Sequence, residues 1–199
     1  AELIQVRLKW LPVTPWLEHS GKVHYACFSP RENWLATVAI VGPSVYGQMH
    51  AAELCLWDPS DGAPAKAPIT CLLNRDKRPF SPSVSFHRSG ESLVVNGEHH
   101  ASLWTVEPWK EQAILSDNGS LVWQASFSRD GESIVTAHSN GQAIIWVGSE
   151  DRWTQRLTLV HSAEVLQATF SPLGKHLVSV CRDGNARLWN VQDGSLKAE

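Results

Sequence analysis

Residues 161–190 alternate apolar and polar positions in three short runs. The first ends at Phe170, the second is His176-Leu177-Val178-Ser179-Val180, and the third, Ala186-Arg187-Leu188-Trp189, closes the stretch. Alternation with a period of two marks a half-buried strand. Ser171-Pro172-Leu173-Gly174 and Arg182-Asp183-Gly184 supply turn chemistry between the runs, so the stretch predicts a small antiparallel meander. A sheet of this size cannot bury its own apolar face, which makes its recurrence the next question.

The order of runs returns along the chain. Phe28, Phe86, Phe127 and Phe170 each close an apolar run ahead of a turn: Ser29-Pro30-Arg31, His87-Arg88-Ser89-Gly90, Ser128-Arg129-Asp130-Gly131 and Ser171-Pro172-Leu173-Gly174. Trp10, Trp57, Trp104, Trp146 and Trp189 stand 47, 47, 42 and 43 residues apart, and the Phe-to-Trp distances are 29, 18, 19 and 19. Strands are expected at 23–28 and 34–41, at 83–86, 92–96 and 101–106, and at 121–127, 133–137, 142–147 and 153–160. Asn140-Gly141 is a tight hairpin signal.

A period of 40–47 residues with four strands per unit and a terminal Trp resembles the WD-repeat β-propeller family. The resemblance covers nearly all of the chain. It implies an all-β propeller of four-stranded antiparallel blades in one domain, 1–199. About four blades would be complete, at 19–73, 74–115, 116–160 and 161–199, with a half blade at 1–18. Two registers fit that half blade, placing either Trp10 or Gln5 opposite Trp57.

The family's structural tetrad is carried over position by position. His161, Ser179, Asp183 and Trp189 match it, and they imply a buried relay of imidazole, hydroxyl, carboxylate and indole N–H. The first repeat offers His19, Thr37 and Trp57 but has Ala51 at the acidic position; the third offers Asn118, Thr136, Asn140 and Trp146. The second departs furthest, with Lys77, Val95, Glu98 and Trp104. Only Trp57-Asp58 keeps the dipeptide for which the family is named.

Thr37 and Trp57 are 20 residues apart, against 10 for Thr136 to Trp146 and for Ser179 to Trp189. Ten extra residues around Tyr46 therefore form either a projecting recognition loop or a tolerated surface insertion. Trp123 takes the place held by His24 in the first repeat and Leu166 in the fourth, near the channel that first strands line in this family. His99-His100, beside Glu98, invites a metal reading, but adjacent residues on a strand point apart, so no metal site is expected there. The Ser, His and Asp of the fourth repeat read as the relay rather than as a hydrolytic triad.

Net charge of −3 and scattered basic residues give no pull toward nucleic acid; Arg75, Lys77 and Arg78, interrupted by Asp76, form the one cluster. Ten Trp residues are many for this length, and the repeat accounts for half of them. Cys27, Cys55, Cys71 and Cys181 lack C-x-x-C spacing, and reduced thiols in a cytoplasmic protein are the expectation. The sequence shows no signal-peptide pattern and no apolar run of about 18 residues, so no membrane is expected as a partner.

What the resemblance implies is a non-catalytic protein–protein interaction scaffold needing no cofactor, a regulatory or sensory segment of a larger polypeptide. Asp61-Gly62-Ala63-Pro64-Ala65-Lys66-Ala67-Pro68 looks like bacterial arrays of this family. The partner-binding candidates are His24, Trp123 and Leu166 at the channel mouth, with Tyr46, Glu98, Ser139 and Arg182 on the turns between second and third strands. The alternative is a propeller enzyme binding a small ligand or metal in its channel. Four and a half blades would leave unpartnered faces. A segment of a larger ring is the first expectation, then self-association with a second copy, then a small ring closed by the N-terminal strands.

Overall fold

The computed structural model describes residues 17–41, 50–73, 82–117, 119–149 and 152–199. Residues 1–16 of the half blade, the Tyr46 loop, Lys77 and Asn118 lie outside these residues. The described residues form sixteen strands and no helix, arranged as four four-stranded meanders. The first holds β1 (Lys22–Phe28), β2 (Leu35–Val41), β3 (His50–Trp57) and β4 (Ile69–Leu73). The second holds β5 (Val84–Phe86), β6 (Ser92–Asn96), β7 (Ala101–Thr105) and β8 (Lys110–Leu115). The third holds β9 (Val122–Phe127), β10 (Ser133–His138), β11 (Gln142–Ser149) and β12 (Arg152–Val160). In the fourth, β13 (Val165–Phe170), β14 (His176–Cys181) and β15 (Ala186–Asn190) are joined by the three-residue β16 (Leu196–Ala198). Every pairing is between neighbours in sequence and antiparallel.

Consecutive sheets meet along their first strands, β1 against β5, β5 against β9 and β9 against β13. This is the arrangement of blades about an axis. The turn after each first strand is built alike. A backbone N–H donates to the carbonyl three residues earlier, from Gly90 to His87, Gly131 to Ser128 and Gly174 to Ser171. These glycines sit at φ 73°, 82° and 69°. In the first blade Glu32 takes the position at φ 56°, where an L side chain is strained.

The apolar core lies between sheets. One cluster joins Ala36, Val38, Leu54 and Leu56 of the first sheet to Leu93 and Val95 of the second. A second joins Val94 and Leu103 to Ile134 and Trp146 of the third. A third joins Val135, Ala137, Ala143 and Ile145 to Leu177 and Trp189 of the fourth. Each fully buried Leu or Ile contributes about 1.5–3 kcal/mol. β6 is buried along four of its five residues and β10 along five of its six, as befits strands covered on both sides. In β14 buried and exposed positions alternate, and Val178 and Val180 are each 39% exposed. The fourth sheet therefore has one open face.

The long Thr37–Trp57 spacing has a simple geometry. Thr37 pairs with Cys55, two residues before the Trp, as Thr136 pairs with Ile144 and Ser179 with Arg187. The extra residues lengthen the hairpin past this point, where Val41 pairs with Ala51. Ala51 thus lies beyond the position that the acidic residue was expected to hold.

Candidate interaction surface

The side chains that lock the blades come first, because they fix where the surface residues stand. In the fourth blade Trp189 Nε1 donates to Ser179 Oγ at 2.8 Å, and Ser179 Oγ lies 2.6 Å from His161 Nε2. His161 Nδ1 faces the Leu159 carbonyl at 3.1 Å. A ring nitrogen facing a carbonyl must carry the proton, so Nε2 accepts from Ser179 and the imidazole is neutral. Burial accordingly pushes the His161 pKa down. The first blade repeats this order, with Trp57 Nε1 donating to Thr37 Oγ1 at 2.7 Å, His19 Nε2 at 2.6 Å from that hydroxyl, and His19 Nδ1 at 2.7 Å from the Leu17 carbonyl.

Asp183 does not close the relay as the family pattern implies. The Leu159 carbonyl occupies the imidazole nitrogen that it would bind. Its carboxylate instead accepts from the Ser162 hydroxyl and lies 2.8 Å from Arg187 Nη2. Glu53 does the same in the first blade, accepting from Ser20. In both blades the serine follows the relay histidine directly. Glu53 went unseen in the sequence because the lengthened hairpin moves it out of the expected spacing.

The third blade obtains its imidazole from elsewhere. His138, on the second strand itself, places Nε2 2.7 Å from Thr136 Oγ1, which also accepts from Trp146 Nε1 at 2.8 Å. His138 Nδ1 lies 2.8 Å from Ser120 Oγ and 3.3 Å from Asp117 Oδ2. Asn140 Nδ2 donates to Asp117 Oδ2 at 2.9 Å, so Asn140 serves the relay through Asp117. Burial pushes the His138 pKa down more than Asp117 raises it. Burial would raise the Asp117 carboxyl, but Ser120 and His138 outweigh it and hold it low.

Among the described residues the second blade shows no relay. Val95 offers no hydroxyl, and Trp104 Nε1 is buried without a hydrogen-bond partner among the described residues. Among the described residues Trp104 packs and makes no relay hydrogen bond. It rests on Trp109 at 5.4 Å between ring centroids, and Trp109 Nε1 reaches the Ala67 carbonyl of the first blade at 3.0 Å.

On this frame His24, Trp123 and Leu166 occupy one structural position. Each falls where the register between first and second strand shifts, between Val23 and Tyr25, Val122 and Gln124, and Val165 and Gln167. Each is the unpaired residue of a β-bulge, a device that re-aims a side chain. His24 is exposed, Leu166 is 41% exposed, and Trp123 is half-buried with its Nε1 unpartnered among the described residues.

The turn residues differ from expectation. Ser139 Oγ accepts from Leu121 N at 3.0 Å beside the bulge, so this half-buried hydroxyl is already engaged in closing the turn. Glu98 is mostly covered, and its buried Oε1 lies 2.9 Å from His99 Nε2 without a hydrogen-bond partner among the described residues. Arg182 remains largely exposed while pairing with Glu164 at 3.0 Å. His99 Nδ1 faces the Gly119 carbonyl at 3.1 Å. No three metal-ligating side chains converge among the described residues, and none of the described helices or strands includes a helix able to cross a membrane.

The sequence profile of the WD domain, G-beta repeat, matches residues 109–147 and 153–190. Each match begins near an outer strand, β8 or β12, and ends in the third strand of the following sheet, β11 or β15, so the repeat in sequence is staggered by one strand against the sheets. The chain is 25% identical over 189 residues to WD repeat-containing protein 1 of Bos taurus, covering 90% of this chain and 29% of that protein. It is 29% identical over 101 residues to the Protein LST8 homolog of Drosophila pseudoobscura pseudoobscura, covering 47% of this chain and 32% of that protein. To Transcription initiation factor TFIID subunit 5 of Caenorhabditis elegans it is 23% identical over 151 residues, covering 55% and 23%. The chain spans under a third of the length of these relatives. Their animal origin lends no support to a bacterial-type array. The fold is similar to the crystal structure of the Cps50 (Swd1) β-propeller domain of Myceliophteria thermophila, with a TM-score of 0.68 and 15% identity, covering 90% of this chain and 55% of that one. Residues 109–147 and 153–190 match WD repeats, and the all-β architecture of the described residues is that of a propeller.

Proposed function

We propose that the chain is a non-catalytic interaction scaffold, a regulatory or sensory WD-repeat segment of a larger polypeptide, acting on a protein or peptide partner. The observation that carries this reading is the alignment of His24, Trp123 and Leu166 at equivalent bulges. Rigid relays hold the strands, while the same bulge presents an imidazole, an indole and an aliphatic side chain. A constant frame with a varied surface suits recognition better than catalysis. Ser179, the hydroxyl of the fourth repeat's Ser, His and Asp, is fully buried and shared between His161 and Trp189. No observation favours the enzymatic reading.

Association with a further blade belongs to the same proposal. Across the third and fourth sheets, Gln124 Oε1 accepts from Ala168 N at 2.8 Å and Ser126 Oγ donates to the Ala168 carbonyl at 3.3 Å. Gln167 and Thr169 repeat these residue types at the same places on the open face, beside Val178 and Val180. The face is equipped to receive another four-stranded sheet, whether from the larger polypeptide or a second copy. A cytoplasmic setting is also part of the reading, supported by the free thiols of Cys27, Cys55 and Cys181. Burial pushes the Cys27 thiol up to about 11, which keeps it protonated.

A photo-crosslinking residue at position 166, compared with one at Lys197, tests the scaffold reading. A discrete protein adduct at 166, lost when His24→Ala and Trp123→Ser are added with the fold intact, is expected. Equal labelling at both positions would overturn it.

A further inference from the structure

The first strands of the first, third and fourth blades run from a bulge to a Phe, and β5 also ends in a Phe. Phe28, Phe86, Phe127 and Phe170 therefore end at the side of the molecule opposite the bulge residues. There the turns of all four blades surround a hollow of about 550 Å³. Phe86 and Phe127 give it apolar wall, and Leu173 stands beside it 80% exposed. Phe28, at the end of the neighbouring strand, is 60% exposed. A concave site of this size between blades, with apolar lining and a few polar groups, is of the kind that accepts a ligand side chain.

The charges around it are not balanced. Arg88 and Arg129 line the hollow and are exposed, and neither guanidinium has a hydrogen bond or salt bridge among the described residues. The acidic residue in the lining, Asp130, is engaged within its own turn, accepting from Ser128 Oγ at 2.5 Å and Glu132 N at 3.0 Å. Arg31, on the adjacent turn, pairs loosely with Glu91 at 3.9 Å. Arg88 is near enough to Asp130 to help hold its carboxyl pKa low. Two exposed guanidinium groups without a hydrogen bond or ion pair among the described residues flank an apolar hollow on a chain of net charge −3.

We propose that this end of the propeller is a second docking surface, and that it takes a peptide segment in which one large apolar side chain is flanked by carboxylates. The apolar side chain fills the space beside Phe86, Phe127 and Leu173. The carboxylates meet the Arg88 and Arg129 forks, which bind planar anions in a bidentate manner. The site goes beyond the scaffold reading, because it uses none of the residues at the bulge end.

The test is fluorescence polarisation with a labelled acetyl-Glu-Asp-Trp-Leu-Glu-Asp-amide peptide on the purified chain. Saturable binding is expected, weakened roughly tenfold or more by Arg88→Glu with Arg129→Glu and several-fold by Leu173→Ser. All three positions are exposed, so melting temperatures should not move. His24→Ala and Leu166→Ala should leave the affinity unchanged, which separates this site from the bulge surface. Absence of saturation at about 1 mM peptide would overturn the proposal. So would equal binding of a peptide with Ser-Ser in place of Trp-Leu, or equal, steeply salt-dependent binding of a thymidine decanucleotide, since either would mark a general anion patch.

Discussion

His138 and Thr136 lie two residues apart on one strand, and their side chains bond to each other at 2.7 Å in the buried core of the third blade. Successive side chains on a strand alternate between faces, so the residue two positions on shares the face of the relay hydroxyl. In the first and fourth blades that place is taken by Ala39 and Cys181, and the imidazole arrives from the preceding loop. The same bond is thus reached by two routes, and the strand-borne histidine brings Asp117 and Ser120 with it.

Replacing His138 with Ala should therefore cost more than removing an exposed histidine. Thr136 loses its acceptor, and the Asp117 carboxylate is left mostly buried beside an empty site. The expected loss is about 2–4 kcal/mol. His176→Ala, at an exposed position, should stay within about 0.5 kcal/mol. Urea titration of the two variants against the parent chain checks the difference.

The pH dependence of stability follows from the same groups. Burial lowers the pKa of His87, His138 and His161, so the folded state favours the neutral rings. Their contribution is full above the unfolded value of about 6.5 and is lost as pH falls through the depressed folded values, because unfolding then takes up protons. Melting temperature should fall between pH 7.5 and pH 5.5. Asp117, Asp130 and Asp183 have lowered carboxyl pKa values and add a separate loss in more acidic solution. His138→Asn together with His161→Asn should shrink the first fall to what His87 contributes and leave the second. A melting profile in which the double variant keeps the first fall in full would contradict this assignment.

Tryptophans that look equivalent in sequence should separate under mutation. Trp189 Nε1 is bonded to Ser179, whereas Trp104 Nε1 has no partner among the described residues. Trp→Phe at position 104 removes volume and an unsatisfied donor. At 189 it also breaks a buried hydrogen bond, so the cost should be greater by about 1 kcal/mol. Thermal or urea unfolding of the two single variants measures the gap.

Glu32 offers a gain instead of a loss. It holds the left-handed turn position that Gly90, Gly131 and Gly174 hold in the other blades. Glu32→Gly should stabilise by about 0.5–1 kcal/mol, the strain relieved exceeding the added freedom of the unfolded chain. By contrast Gly131→Ala should destabilise, since its Cβ would stand 1.8 Å from His87 Nε2 of the neighbouring blade. Comparing the two melting temperatures distinguishes turn strain from inter-blade contact.

The blades were legible in the sequence because Phe and Trp mark fixed points on strands whose period is two. The turn glycines added the sign of φ. The bulge position was legible only as a place where His24, Trp123 and Leu166 correspond, since a register shift leaves no residue type of its own. His138 was hidden by an expectation tied to a loop histidine, although Thr136-Ala137-His138 places two polar side chains on one face. Glu53 was hidden by the lengthened hairpin. Ser139 and Glu98 were legible as polar turn residues, but not that one accepts from the Leu121 amide and the other is covered beside His99, because both depend on how the turn closes.

The open face of the fourth sheet gives a paired comparison. Val135 and Val178 hold the same place in consecutive blades, the first fully buried against the fourth sheet and the second 39% exposed. Val135→Asp would bury a carboxylate with no partner and should cost 3 kcal/mol or more, on the order of the largest single-residue effects. Val178→Asp should cost less than about 1 kcal/mol in a monomer, because its side chain meets solvent there. If the face receives another sheet, the same substitution should also lower the mass seen by light scattering at high concentration and leave it unchanged at high dilution. A Val178→Asp chain as unstable as Val135→Asp when dilute would mean the face is already covered, and the case for a further blade at that place would be lost.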